Sequence, residues 1–403
     1  MPVEAPRAAI RHCDASAVAV TLCGTGRVAP RKEAAMETIE TVQRFLEHMA
    51  WYATPVPASA ISFLAAGEYN ENWRIRHEGR DEVLRVNHGS QLRLADQIGY
   101  EYAVLRAVHP SGVTPRALRV KSRPRHLSGG ALLMEYLPGR PLDYRTDLEA
   151  AAHTFAAVHS VVVPRGCPLL RQPDPVADIA ADGLRLIHRF PDHPRTDVRD
   201  ALLRYHERVV RLGEDTRALF EGERQVIANT EVNSGNFLVH DGVARLVDWE
   251  KAVVTPRYQD LGHFLAPTTT LWKTDTVLDE ADRRRFLAAY RDALTRLAGR
   301  ETVADCHFDT TDTAEGVTHE AASHTTAPDA PGGQPHGDMA PDVPDLDALA
   351  VRTDVLVRAV LLRGLAWCYM AWQEYATDRR PLAHPDTLRT IERYLAEVSW
   401  FLR

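Results

Sequence analysis

The chain of 403 residues is predicted to be an α+β protein of two lobes, a small antiparallel-sheet lobe followed by a larger, mainly helical one. Three observations predict it. Short strand-like runs crowd residues 60–136, with one helix among them. Helical periodicity dominates 145–300 and 350–403. One hairpin signal, Asp241-Gly242 between two apolar runs, interrupts the helices. A hydrophobic fraction of 45% is enough for a sizeable core and excludes a wholly disordered or small disulfide-stapled chain. A net charge of −7 argues against a general nucleic-acid or membrane-surface binder. No uninterrupted apolar run approaches the ~18 residues of a membrane span. Five cysteines, an odd number, read as mostly reduced thiols in a cytoplasmic protein.

Residues 1–35 mix Pro, Ala, Arg and Gly without a period and read as a disordered N-terminal extension. Asp14 and the lack of a small-residue cleavage pattern count against a secretory signal there. Met36 opens an amphipathic helix, METIETVQRFLEHMAWY, so either Met1 or Met36 is the start expected. The first lobe is expected over 36–135. ISFLAAGEYNENWRIRHEG reads as strand, turn and strand, DEVLRVN as a third strand, QIGYEYAVLRAVH as a helix with Tyr102, Leu105 and Val108 on one stripe, and ALLMEYL as a buried strand. The second lobe, 136–403, is helical apart from a strand-like pair around 225–248. Residues 301–349 break the pattern, with eleven carboxylates and no Lys or Arg. That segment is expected to be a disordered acidic insertion, because it cannot bury enough surface to offset its ordering entropy. Its histidines, His307, His319, His324 and His336, lack metal-ligand spacing.

The chemistry concentrates between Val226 and Phe264. The strand FLVH, the turn Asp241-Gly242 and the strand VARLVDW form a hairpin that brings Asn236 and Asp248 to one end. An amide oxygen and a carboxylate close together suit an oxygen-loving cation such as Mg²⁺. Glu231, five residues before Asn236, is placed to orient a substrate hydroxyl. His336-Gly337-Asp338-Met339 mimics a catalytic motif, but Val343 stands where an Asn is needed and no apolar strand follows.

This stretch resembles the aminoglycoside phosphotransferase and choline-kinase-like families, which share the protein-kinase fold. The catalytic loop His-x-Asp-x-x-x-x-Asn corresponds to Asn229-Thr230-Glu231-Val232-Asn233-Ser234-Gly235-Asn236, and the Ile-Asp-Trp-Glu-like element to Leu246-Val247-Asp248-Trp249-Glu250. The resemblance implies a protein-kinase-like two-lobed fold with ATP and Mg²⁺ between the lobes. It implies Glu231 as the catalytic base, Asn236 and Asp248 as metal ligands, and Asp260 as a brace beneath a catalytic loop at 229–236. In the first lobe it implies Gly67 over the phosphates, Arg85 on them, Glu101 paired with Arg85, and backbone groups of Glu135 and Leu137 on adenine. His159 falls on the helix expected beneath the loop and reads as a packed core histidine.

The departure from the family pattern is Asn229 and Glu231, where His and Asp are usual. Glutamate moves the carboxylate by about a bond length, and a misplacement on the order of 1 Å can cost ~100-fold. A loose phosphoryl-transfer transition state asks little of the base, however. Two readings follow. One is a phosphotransferase acting on a hydroxyl of a small molecule, with a sugar or lipid-linked acceptor as a variant. The other is a nucleotide-binding pseudokinase that regulates a partner. The first is expected to be a cytoplasmic enzyme with no nucleic-acid or membrane partner. The sequence specifies neither the acceptor nor the oligomeric state.

Overall fold

A computed structural model of the chain describes residues 36–403 except 68, 301, 307–342, 378 and 380–384. The expected extension 1–35 therefore lies outside the described residues. Thr38 caps the first helix, α1 (Ile39–Met49), in a reciprocal box with Thr41. Val42, Phe45 and Leu46 on its inner face are buried. They pack with Trp73, Ile75 and Leu84 of the following sheet in a small core of their own.

That sheet holds β1 (Ile61–Ala66), β2 (Asn70–His77), β3 (Arg80–Asn87), β4 (Ala117–Lys121) and β5 (Gly130–Glu135), in the order β1-β2-β3-β5-β4 and antiparallel throughout. The helix α2 (Gln97–Val108) stands between β3 and β4, with the Asp96 carboxylate accepting from the Gly99 N–H at its start. Sequence reading missed β4, whose run ALRVK is short and lacks a clean alternation of apolar and polar residues.

The second lobe opens with β6 (Arg140–Pro141), α3 (Leu148–His159), α4 (Pro175–Ile187) and α5 (Thr196–Thr216). Four short strands follow: β7 (Gln225–Ala228), β8 (Phe237–His240), β9 (Val243–Leu246) and β10 (Val253–Pro256). β8 and β9 are the predicted hairpin, and Asp241 and Gly242 both take the positive φ that a tight turn requires. β9 is shorter than expected, ending at Leu246, because Asp248 adopts φ +64° and turns the chain out of the ladder. β7 pairs with β10, and β6 adds to the hairpin as an edge.

Helices complete the lobe: α6 (Tyr258–Leu265), α7 (Pro267–Lys273), α8 (Glu280–Leu297), α9 (Leu346–Ala376), α10 (Pro385–Ala396) and α11 (Val398–Phe401). α9 is long and apolar enough to cross a membrane by length and composition, which the reading of uninterrupted runs did not anticipate. Most of its apolar window is buried within the protein, where it packs against α4, α5, α6 and α10 as the axis of the helical core.

Two further expectations change. Within the segment 301–349, the described residues 302–306 and 343–349 are structured. Val303 bridges to Val162, Arg106 pairs with Asp305 at 2.5 Å, and the Asp345 carboxylate caps α9. Acidic residues there serve as a cap and an ion pair, so charge alone was a poor guide to the boundaries. The stretch 307–342, with its four histidines and the His336–Met339 motif, lies outside the described residues. Among the described residues Cys167 and Cys306 are joined as a disulfide, which corrects the reading of mostly reduced thiols for this pair, while Cys368 is buried and takes part in no disulfide.

Candidate active site

β7 runs straight into the loop 229–236, and one short helical turn, Ser234–Asn236, delivers the chain into β8. The loop is held from below by Asp260 on α6. Its carboxylate accepts the Asn229 N–H at 2.9 Å and the Thr230 N–H at 2.8 Å. Both acceptor and donors are buried, so each bond also removes a desolvation penalty. Thr230 takes φ +64°, unusual for a β-branched residue. The Asp260 bond and a bond from Thr230 Oγ1 to the Lys251 carbonyl (2.9 Å) hold it there. Beneath Asp260 lies His159, with Nε2 3.4 Å from Asp260 Oδ2 and Nδ1 2.9 Å from the Tyr290 hydroxyl. Burial keeps His159 below the ordinary histidine pKa.

Asn229, which stands in place of the histidine of the loop pattern, is fully buried and ties three elements of the site. Its Oδ1 accepts the Glu231 N–H (3.0 Å), and its Nδ2 donates to the Asp248 carbonyl (2.8 Å). Asn236 Nδ2 donates to the Glu231 carbonyl (2.6 Å), and its Oδ1 accepts no hydrogen bond among the described residues. The Glu231 side chain meets Lys251: Nζ lies 2.7 Å from Oε1 and 3.0 Å from Gln91 Oε1 of the first lobe.

The first lobe contributes Arg85 on β3. Its Nη1 lies 2.5 Å from Glu101 Oε1 on α2 and 2.7 Å from Asp248 Oδ1, while Nε donates to Asn72 Oδ1 (3.0 Å). Burial works against this charge, but Glu101 and Asp248 outweigh it, and the Arg85 pKa ends above the ordinary arginine value. A second tie between the lobes runs from Asn70 Nδ2 to Glu250 Oε2 at 2.7 Å.

Carboxylate oxygens of Glu231, Asp248 and Glu250 all lie within 4.8 Å of one another. Burial, then the charges of Asp248, Glu231 and Glu101, raise the Glu250 carboxyl to about 8. A proton there relieves an excess of negative charge. A divalent cation would relieve the same excess, and three carboxylates with the amide oxygen of Asn236 form an all-oxygen donor set suited to Mg²⁺. The residues present fit such an ion.

Gly67, Arg85, Glu231, Asn236 and Asp248 line one cavity of about 1180 Å³ between the sheet and the helices. A Cβ at Gly67 would meet nothing, so open space lies over that turn. Glu101 reaches the site through Arg85, and Asn229 and Asp260 support it from beneath. Glu135 and Leu137 are not among the lining residues. The Glu135 N–H already donates to the Arg116 carbonyl at 2.9 Å, whereas the Leu137 N–H has no partner among the described residues.

Sequence reading missed Lys251, Gln91, Asn70 and His263. Lys251 carried a usable signal, being one of only four lysines in the chain and adjoining the Asp-Trp-Glu element. Gln91 and Asn70 carried none, since only the folded sheet brings them to the loop.

Residues 60–304 match the model of the phosphotransferase enzyme family. The fold is shared with solved kinases. An ethanolamine kinase from Plasmodium vivax is 9% identical, with 88% of this chain and 86% of that one covered, at a TM-score of 0.56. A choline/ethanolamine kinase family protein from Mesorhizobium loti is 16% identical, with 90% and 97% covered, at 0.52. A thermostable mutant of an aminoglycoside phosphotransferase is 15% identical, with 89% and 98% covered, at 0.51. At these identities the likeness is one of fold, and it is protein-kinase-like. No curated protein matches the chain in sequence.

Proposed function

The chain belongs to the phosphotransferase enzyme family, and from that we propose that it transfers the γ-phosphate of ATP to a hydroxyl of a small molecule, with Mg²⁺ as the metal. One observation carries this reading: Glu231, Asp248 and Glu250 converge within 4.8 Å in a cavity that Arg85 and Gly67 also line. Asn236 and Asp248, with Glu250 beside them, would hold Mg²⁺, which when bound neutralises charge on the phosphates.

Glu231 is the base. Its Oε1 is held by Lys251, and its other oxygen has no hydrogen-bond partner among the described residues. That oxygen takes the proton of the acceptor hydroxyl. The acceptor oxygen forms a bond to the γ-phosphorus, and the bond from that phosphorus to the bridging oxygen breaks and leaves ADP. Lys251 fixes the direction of the longer glutamate side chain, which offsets the misplacement that Glu for Asp would bring. Arg85 orients Asp248 and offers positive charge to the phosphates. The Leu137 N–H is a free donor for adenine. Asn229 braces Glu231 and Asp248, a structural task that needs no histidine charge. No observation favours the regulatory alternative raised by the altered loop.

The test is phosphotransfer from ATP across a panel of hydroxyl compounds, for the wild type, Asp248→Asn and Glu231→Gln. Turnover that Asp248→Asn abolishes and Glu231→Gln lowers by about 100-fold or more is expected. Turnover indifferent to Asp248→Asn would sink the proposal.

A further inference from the structure

Midway along α9, in Leu361-Leu362-Arg363-Gly364-Leu365, a single arginine interrupts an apolar stretch and lines the cavity that holds Glu231. The phosphoryl transfer described above does not use it. Among the described residues its guanidinium has one polar partner, His263 Nδ1 on α6, 3.3 Å from Nη2, and no carboxylate within ion-pair distance. Of the acids lining this side of the cavity, Asp178 on α4 makes no ion pair with Arg363, and the others are engaged elsewhere. Asp182 on α4 bonds Arg185 at 2.8 Å, and Glu374 bonds Arg189 at 2.9 Å. Glu231 is held by Lys251, and Asp260 by the loop amides and His159.

A desolvated guanidinium normally brings its counter-ion with it, because an isolated charge out of water is costly. Arg363 is half-buried, keeping some surface open to the cavity, and burial lowers its pKa despite the more distant Asp182, Glu231 and Asp260. His263 supplies no negative charge and is held neutral by burial and by Arg363 itself. The planar fork of N–H donors on this wall matches the paired oxygens of a carboxylate or a phosphate.

We infer that Arg363 binds an anionic group on the hydroxyl compound that this enzyme phosphorylates, so the acceptor is a hydroxy acid or a phosphorylated alcohol. The inference rests on the phosphotransferase reading and narrows its substrate class. Arg363 touches neither Glu231 nor the carboxylate cluster; it selects and orients the acceptor.

The test compares four probes of similar size: D-glycerate and glycerol 3-phosphate as the two anion sources, glycerol as the neutral reference, and ethanolamine as the cation. Binding to the full chain is measured by calorimetry, with and without Mg²⁺ and a non-hydrolysable ATP analogue. At least one anion should bind 10-fold or more tightly than glycerol and ethanolamine, and the one that does identifies the source. Arg363→Gln should erase that preference by about 10- to 100-fold, the loss expected for hydrogen bonds to a charged group, and Arg363→Lys should keep part of it. A thermal melt of each variant separates a lost contact from a lost fold, and Arg363→Lys provides the comparison if Arg363→Gln does not fold. Equal binding of all four probes, preference for ethanolamine, or an anion preference that survives in a folded Arg363→Gln protein would overturn the inference. Failure of the nucleotide analogue to bind would count against the phosphotransferase reading instead. The anion preference is still measured in that case, from the samples without nucleotide.

Discussion

Asp260 shows how one carboxylate can fix a loop. It receives two adjacent amide N–H groups in a fully buried setting, and one of them belongs to Thr230 at φ +64°. Asp260→Ala leaves both donors unpaired at about 1–3 kcal/mol each, so a loss of about 2–6 kcal/mol in urea unfolding is expected. His263, next to this brace, titrates in the opposite sense from a paired histidine. Burial first, then Arg363 and Lys251, hold its pKa well below 6.5. The unfolded chain therefore takes up the proton first as pH falls. Stability from this group is complete above about pH 6.5 and drains away below it, at up to about 1.4 kcal/mol per pH unit. His159, His193 and His206 are shifted the same way and act in the same window. Unfolding free energy measured between pH 7.5 and 5.5 should thus fall, and His263→Gln should flatten part of that fall. A slope identical in wild type and variant would mean that His263 does not titrate on unfolding.

Helix α6 carries both Asp260 and His263, and its placement depends on close approach to α9. A Cβ on Gly262 would stand 2.6 Å from Leu356 Cβ and 2.8 Å from the Leu356 and Val357 backbone. Backbone cannot swing aside as a side-chain tip can, so Gly262→Ala should cost about 1–3 kcal/mol, read as a lower Tm. It should also lower turnover, because Asp260 shifts with the helix. Gly262 gave no warning of this in YQDLGHF, since helix periodicity says which face is buried but not how near the partner lies. Elements written in local chemistry were legible. The hairpin followed from Asp-Gly, α2 from its apolar stripe, and the spacing of Glu231, Asn236 and Asp248 from their order along one loop and one hairpin. Arg85 and Glu101 were paired in advance only through the family resemblance. What stayed hidden depends on contacts between distant elements: Lys251 with Gln91, Asn70 with Glu250, and Arg363 with His263 across two helices. The acidic segment 301–349 misled at its edges because composition cannot tell a helix cap or an ion pair from a solvated charge.

Across the whole molecule, the lobes are tied where negative charge accumulates. Arg85 joins β3 to Asp248, Asn70 and Gln97 of the first lobe bond Glu250, and Lys251 bonds Gln91. The carboxylates at this seam outnumber the cations that touch them, and the surplus appears as the Glu250 carboxyl raised to about 8 by burial and by Asp248, Glu231 and Glu101. At pH 7 that group is mostly protonated. A divalent cation among the same oxygens replaces the proton, since its positive charge reverses the local preference. Binding of Mg²⁺ with nucleotide at pH 7 should therefore release close to one proton from the cleft. The release should decline toward zero above about pH 9, where Glu250 is already ionised. Calorimetry in two buffers of different ionisation enthalpy measures it directly, after correction for the proton balance of the nucleotide itself. Glu250→Gln should bind without the release, which assigns the proton to this residue and to no other member of the cluster. Identical proton counts in wild type and variant would mean that the seam holds its charge without protonating Glu250. The cation would then add to the cluster rather than exchange with a proton.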